Sequence, residues 1–356
     1  MKAFIKLLTI IVVTSNSFCQ EENPDKLLEQ IVSESKVVGV SAGYSINGET
    51  LWQAANGYAY KEKKQQFLKE TKVRMASIAK PMTALAVMQL VEQNLIDLDA
   101  PIQAYIPDYP KQPNTQITTR HLLSHTSGIG GYKNGKEAQT KVNYPRLSDA
   151  IEFFKNRPLL FEPGTQYGYT TYGYTLLGVI IEKASGITYE TYMQKHIWDK
   201  ANMTNTGIEI FGNNKENGSG LYHKNKKGKI KEGKENNLSN RIPGGGFYTT
   251  VGDMLKFGNA VINNTFVKPE TLSLMREHHS LEKERNAYGF GWFLYNPKPN
   301  EGAIIGHSGG QTGCSSQLYI VPEKGIVTIV LANTSGASKE ATIFASQLLK
   351  IALDTL

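Results

Sequence analysis

Ser77-Ile78-Ala79-Lys80 sets a hydroxyl and an amine three residues apart, just ahead of an apolar run from Pro81 to Leu90 that reads as a helix. Side chains at i and i+3 share one helix face, so the serine has a base beside it. The unpaired N–H groups and positive dipole end of the helix N-terminus then face whatever the serine attacks. The same four residues equally describe an N-cap serine followed by a surface lysine. A second copy of the spacing, Ser33-Glu34-Ser35-Lys36, closes a helix read over residues 24–35 with no strand before it, which makes it a solvated helix end. Spacing alone leaves Ser77 undecided between nucleophile and cap.

Taking the proton from a serine requires a lysine or tyrosine whose pKa falls well below about 10.4 or about 10. Proximity and burial supply such shifts. The segment from Glu162 to Tyr174 holds Tyr167, Tyr169, Tyr172 and Tyr174 ahead of and into a helix read over residues 172–184, although a tyrosine-dense run also serves packing. Further on, His307-Ser308-Gly309-Gly310 reads as a strand at the edge of a cleft, where Gly309 and Gly310 admit close backbone approach. An N–H from this strand, paired with that of Ser77, makes an oxyanion hole; a plain glycine turn fits the same string.

The elements that must position these groups come from both chain ends. Strands are expected over residues 38–46 and 50–55, joined at Asn47-Gly48, a strong hairpin signal. A short strand over 71–76 leads into Ser77. Four more strands are read over 288–295, 303–306, 315–321 and 326–331, and a closing helix over 339–353. Between them lie helices over 148–156, 172–184, 189–198 and 251–262. The stretch 212–240, rich in Asn, Gly and Lys, reads as a mobile loop or irregular hairpin. The expected fold class is α+β: an antiparallel sheet built from both ends, flanked by the terminal helices, with an inserted, mostly helical lobe. The α/β lobe takes residues 24–85 and 285–356, and the helical lobe 86–284.

The 356 residues are 40% hydrophobic and 20% charged, an ordinary globular composition. Met1 to Val13 has the basic start and short apolar stretch of a secretory leader, too short for a membrane span. Cleavage after Cys19 is expected, leaving residues 20–356 as one catalytic domain in a periplasmic or secreted protein; lipid attachment at Cys19 is the second choice. Losing Lys2 and Lys6 lowers the formal charge from +7 to +5. The lysines cluster in loops without interleaved aromatics, which argues against a nucleic-acid partner. Cys314 would then be the lone cysteine, so no disulfide framework forms. The histidines show no metal-ligand spacing, and no cofactor motif is present. Gly244-Gly245-Gly246 looks like a tight backbone approach rather than a nucleotide cradle.

Ser77-x-x-Lys80, Tyr169-x-Thr171 and His307-Ser308-Gly309 stand in the order of three motifs of the serine β-lactamase and penicillin-binding protein superfamily, and the chain resembles its class C β-lactamase-like branch. Further strings are similar: His121-Leu122-Leu123-Ser124-His125-Thr126-Ser127-Gly128, Pro163-Gly164-Thr165, and Pro243-Gly244-Gly245-Gly246-Phe247-Tyr248-Thr249-Thr250. Within that branch the chain resembles the mitochondrial serine β-lactamase-like proteins and their bacterial relatives, over residues 25–355. The resemblance implies that Ser77 forms an acyl-enzyme, Lys80 and Tyr169 manage the proton, and the N–H groups of Ser77 and Gly310 hold the oxyanion. Thr171, His307, Ser308 and Gly309 would meet the substrate, a small molecule or peptide. Tyr132-Lys133-Asn134 also fits the second motif but lacks its lead-in, and reads as a loop; His125 reads as structural support.

Two departures bear on the substrate. Most of the superfamily has asparagine where Thr171 offers only a hydroxyl. β-Lactamases usually begin the third motif with lysine, a permanent cation, whereas histidine with a free pKa near ~6.5 is mostly neutral at neutral pH. Both point to a peptidase, amidase or esterase rather than a true β-lactamase or a D-Ala-D-Ala carboxypeptidase. The other class is a non-catalytic ligand-sensing or filament-forming protein, and homo-oligomers fit either class.

Overall fold

In the computed structural model, which describes residues 23–213, 216–281, 287–296 and 299–356, Asn47 and Gly48 take φ of 51° and 86°. Two positive φ angles in a two-residue loop match the twist of a hairpin. The loop joins β1 (Gly39–Ile46) to β2 (Glu49–Tyr60). Gln65–Gln66 (β3) pairs outside β2. The other end of the chain supplies β4 (Phe293–Tyr295), β5 (Ile304–Gln311), β6 (Cys314–Val321) and β7 (Ile326–Ala332). All neighbours are antiparallel, and the order across the sheet is β3-β2-β1-β7-β6-β5-β4. The leader read at residues 1–19 lies outside the described residues.

The apolar run of β7 is continuous because both of its faces are covered. Val327, Ile329 and Leu331 face one core, and Ile326, Val330 and Ala332 face the other. The second core is closed by α1 (Pro24–Ser33) and the last helix, Ser338–Asp354. The first is the larger and holds α2 (Ala79–Glu92), α3 (Tyr172–Ser185) and α5 (Val251–Ile262), with the short α4 (Ile242–Gly245) between them. α2 is buried around nearly its whole circumference, so its residues are apolar in every direction rather than along one stripe.

Several boundaries differ from the sequence expectation. Strand over 288–295 forms only at Phe293–Tyr295, since Gly291 turns with φ 83° and the Phe290 N–H bonds back to Met275 O. In contrast, strand expected over 303–306 continues to Gln311, so His307-Ser308-Gly309-Gly310 is strand and not turn. The 71–76 strand is only Val73–Arg74. The 148–156 helix is Leu147–Glu152, and the 189–198 helix widens after Met193 into a π turn over Gln194–Trp198. Of the two readings for 212–240, the irregular hairpin is present: Tyr222–Lys224 pairs with Ile230–Glu232.

Gly258 sets how closely α5 lies on β7, because a Cβ there would sit 2.4 Å from Val327 Cγ1. Gly258→Val should therefore destabilise the fold by about 1–3 kcal/mol through overpacking. Urea melts of the two proteins measure it, and coincident midpoints would show that the contact has room to spare.

Candidate active site

Ser77 lies in a single 3-10 turn, Ala76–Ile78, that runs directly into α2. Ala76 before it is buried and has φ 53°, a left-handed conformation that a residue with a Cβ rarely adopts. Its neighbours impose this. The Met75 N–H bonds to Phe247 O at 3.1 Å, and Met75 O accepts from Ser316 Oγ at 2.9 Å. Strain held in this way next to a nucleophile aims the side chain.

Lys80, one turn further on, is fully buried. Its Nζ lies 3.1 Å from Ser77 Oγ and donates to Gly244 O at 2.7 Å. Desolvation, and then the charge of Arg241, lowers its pKa well below the ordinary lysine value. Thr83, the next α2 residue on this face, donates to Pro243 O at 2.6 Å. Two α2 side chains thus grip consecutive carbonyls of α4. Gly244 allows the approach: a Cβ there would meet Thr171 Cγ2 at 2.6 Å. The glycine run is a tight backbone approach, as its sequence suggests.

Tyr169 faces the same pair. Burial of its phenol raises its pKa well above the usual value, and a hydrogen bond with Ser77 opposes that in part. The residue as a whole is 39% exposed, while the phenolic oxygen is enclosed and decides the titration. Burial thus disfavours the charged form of both groups beside Ser77, the amine and the phenol. His125 packs against the Tyr169 ring at 4.2 Å and accepts from the Thr170 N–H at Nδ1, 3.3 Å away. No hydrogen bond joins it to Ser77. Tyr132, in the segment that resembled a second motif, is loop; its ring nevertheless packs against the Arg241 guanidinium and lines the cavity with Ser77.

β4 covers β5 only over Ile304–Gly306, leaving the edge from His307 to Gln311 open toward Ser77. Gly309 must be glycine, because a Cβ would lie 2.4 Å from Met75 O. Gln311 Nε2 donates to Gly245 O at 3.0 Å and ties this edge to α4. His307 departs from its expected place at the substrate. It is buried, its Nδ1 donates to Ser308 O at 2.6 Å, and its Nε2 accepts from the Tyr288 hydroxyl at 3.1 Å. Both ring nitrogens are engaged, and desolvation drops its pKa to about 3, so it offers a ligand neither charge nor a free polar atom.

Ala76, Ser77, Gly310, Gln311 and Thr312 form one side of a cavity of about 260 Å³; Tyr132, Thr171, Gly244, Asn236 and Arg241 face them. Sequence reasoning missed Arg241, Asn236 and the Gly244 carbonyl, and only the glycine run hinted at them. A larger cavity, about 730 Å³, lies beyond Ile242 and Tyr189 and does not include Ser77.

A family model described as Beta-lactamase matches residues 24–350. The chain belongs to the beta-lactamase family. It is 30% identical to the mitochondrial serine beta-lactamase-like protein LACTB of Homo sapiens, across 94% of this chain and 79% of that one. It is 29% identical to penicillin-binding protein 4* of Bacillus subtilis (strain 168), across 86% and 69%. Among solved structures, the octameric penicillin-binding protein homologue from Pyrococcus abyssi superposes with a TM-score of 0.79 at 27% identity, covering 92% of this chain and 78% of that one. The general class of this beta-lactamase family member is serine hydrolase, and its fold is that of the β-lactamases and transpeptidases.

The buried histidines give the fold an acid limit. His307 is lowered to about 3 and His125 well below its ordinary value, both chiefly by desolvation. Below about pH 6.5 the unfolded chain binds protons on these rings that the folded chain refuses, so stability falls as pH falls toward 3. The slope reaches about 1.4 kcal/mol per pH unit for each histidine. His307→Gln should flatten it, and a stability difference between variant and parent that stays constant from pH 6.5 to 4 would contradict this.

Proposed function

We propose that this chain hydrolyses amides or esters through an acyl-enzyme on Ser77, as a peptidase, amidase or esterase of the beta-lactamase family. The observation that carries the reading is the buried, charge-averse Lys80 amine 3.1 Å from Ser77 Oγ. The neutral amine takes the serine proton as Oγ bonds to the substrate carbonyl carbon. The N–H groups of Ser77 and Gly310 receive the oxyanion. When the carbonyl reforms, the C–N or C–O bond breaks and the leaving group takes the proton back, with the Tyr169 phenol relaying it. Water then repeats the cycle and releases the acid. Thr171 in place of an amide and a neutral His307 support general amide or ester chemistry over dedicated β-lactam hydrolysis. The leader at residues 1–19 supports export, residues 20–356 make the catalytic unit, and the octameric relative supports assembly into homo-oligomers.

Labelling tests the reading. A fluorophosphonate should modify the mature protein at Ser77, with no adduct on Ser77→Ala; absence of any Ser77 adduct on the folded protein would sink it. A fluorescent penicillin should acylate and leave slowly, whereas fast turnover would restore a true β-lactamase. Lys80→Met should lower kcat/KM for an ester by about 10²–10⁴-fold. For the parent, kcat/KM should rise with pH through a lysine pKa displaced well below its ordinary value, because only the neutral amine is active.

A further inference from the structure

Two arginines are buried on either side of Asn236, and their surroundings differ. Arg74 is 2% exposed; its Nε donates to Glu209 Oε1 at 2.8 Å, and another nitrogen reaches Asn236 Oδ1 at 2.7 Å. That charge is balanced. Arg241 is 4% exposed and lies in the wall of the Ser77 cavity. Its Nε donates to Asn240 Oδ1 at 2.8 Å, a terminal nitrogen donates to Ala138 O at 3.0 Å, and the guanidinium lies over the Tyr132 ring at 4.4 Å. All of these partners are neutral. Among the described residues no ion pair includes Arg241.

A buried guanidinium with neutral acceptors has its hydrogen bonds but not its counter-charge, a costly condition that an anion relieves. Among the described residues, the cavity wall contains no Asp or Glu to do this. Nor does another cation compete, since Lys80 is held toward its neutral form and His307 is neutral and outside the cavity wall. We propose that Arg241 receives a carboxylate of the substrate, so that the preferred class is amides or esters bearing an anionic group within reach of Ser77. The planar guanidinium suits a carboxylate, with two-point hydrogen bonding. Burial is the main cause of the lowered Lys80 proton affinity and the Arg241 charge the second, so docking there also screens that second contribution.

This rests on the Ser77 hydrolase reading, and paired esters separate the two. For the acyl half, the pair is the mono-p-nitrophenyl ester of adipic acid against p-nitrophenyl hexanoate. For the leaving half, it is the hexanoyl ester of 4-hydroxybenzoic acid against that of 4-hydroxybenzamide. The parent should favour the anionic member of at least one pair by tenfold or more in kcat/KM. Arg241→Gln should bring that ratio close to one, while Arg241→Lys keeps part of it; the ratio cancels any loss common to both esters. In a second readout, folded Ser77→Ala protein should bind adipate or 4-hydroxybenzoate by calorimetry, and the double variant with Arg241→Gln should not. No anionic preference in either pair, or one that Arg241→Gln leaves intact, overturns the proposal. If no ester is turned over and no fluorophosphonate adduct forms, the hydrolase reading fails instead, and the calorimetry still judges Arg241.

Discussion

An amine kept out of water is the condition on which this site rests. Lys80 is enclosed because α2 is the central helix of the larger core, and a helix buried on every side has no solvent face to give a lysine. Burial alone would favour the neutral form. The amine donates to the Gly244 carbonyl at 2.7 Å and is held by it 3.1 Å from Ser77 Oγ. The serine is supplied from the other side by the left-handed turn at Ala76, clamped between Phe247 and Ser316. Ser77 and Lys80 are thus fixed by the packing of sheet against helix, and neither depends on a flexible loop.

Aromatic packing extends the same logic to the proton donor. The Tyr169 ring touches His125 at 4.2 Å and stacks with Phe293 at 6.3 Å, and Phe293 in turn meets His307 at 4.7 Å. Two motif residues that are far apart in sequence therefore share one nest of rings. His125 Nε2 has no hydrogen-bond partner among the described residues, a buried polar atom kept for the shape of the ring around it.

Much of this was legible where the signal is local. The Asn47-Gly48 turn, the apolar run of β7 and the Ser77–Lys80 spacing each encode their geometry within a few residues, and ordered motifs made the family recognisable. The unread parts depend on contacts across the chain. Residues 288–292 look like strand because Tyr288, Phe290 and Trp292 are large and apolar, yet they turn, so that Tyr288 meets His307, Phe290 stacks on His279 and Trp292 stacks on Phe257. Histidine at position 307 carries no mark of its protonation, which burial first and then the nearby Lys80 charge set. Tyr132 and Arg241 meet in one cavity wall although 109 positions separate them, and no local pattern announces such a meeting.

The grip of Lys80 and Thr83 on the carbonyls of Gly244 and Pro243 joins two roles on one short segment. Residues 236–244 supply the carbonyl that Lys80 binds and also part of the wall of the Ser77 cavity. Remodelling that wall by loop exchange would disturb the amine along with the pocket, so a designer wishing to reshape the cavity should change single side chains and leave the main chain of this segment untouched.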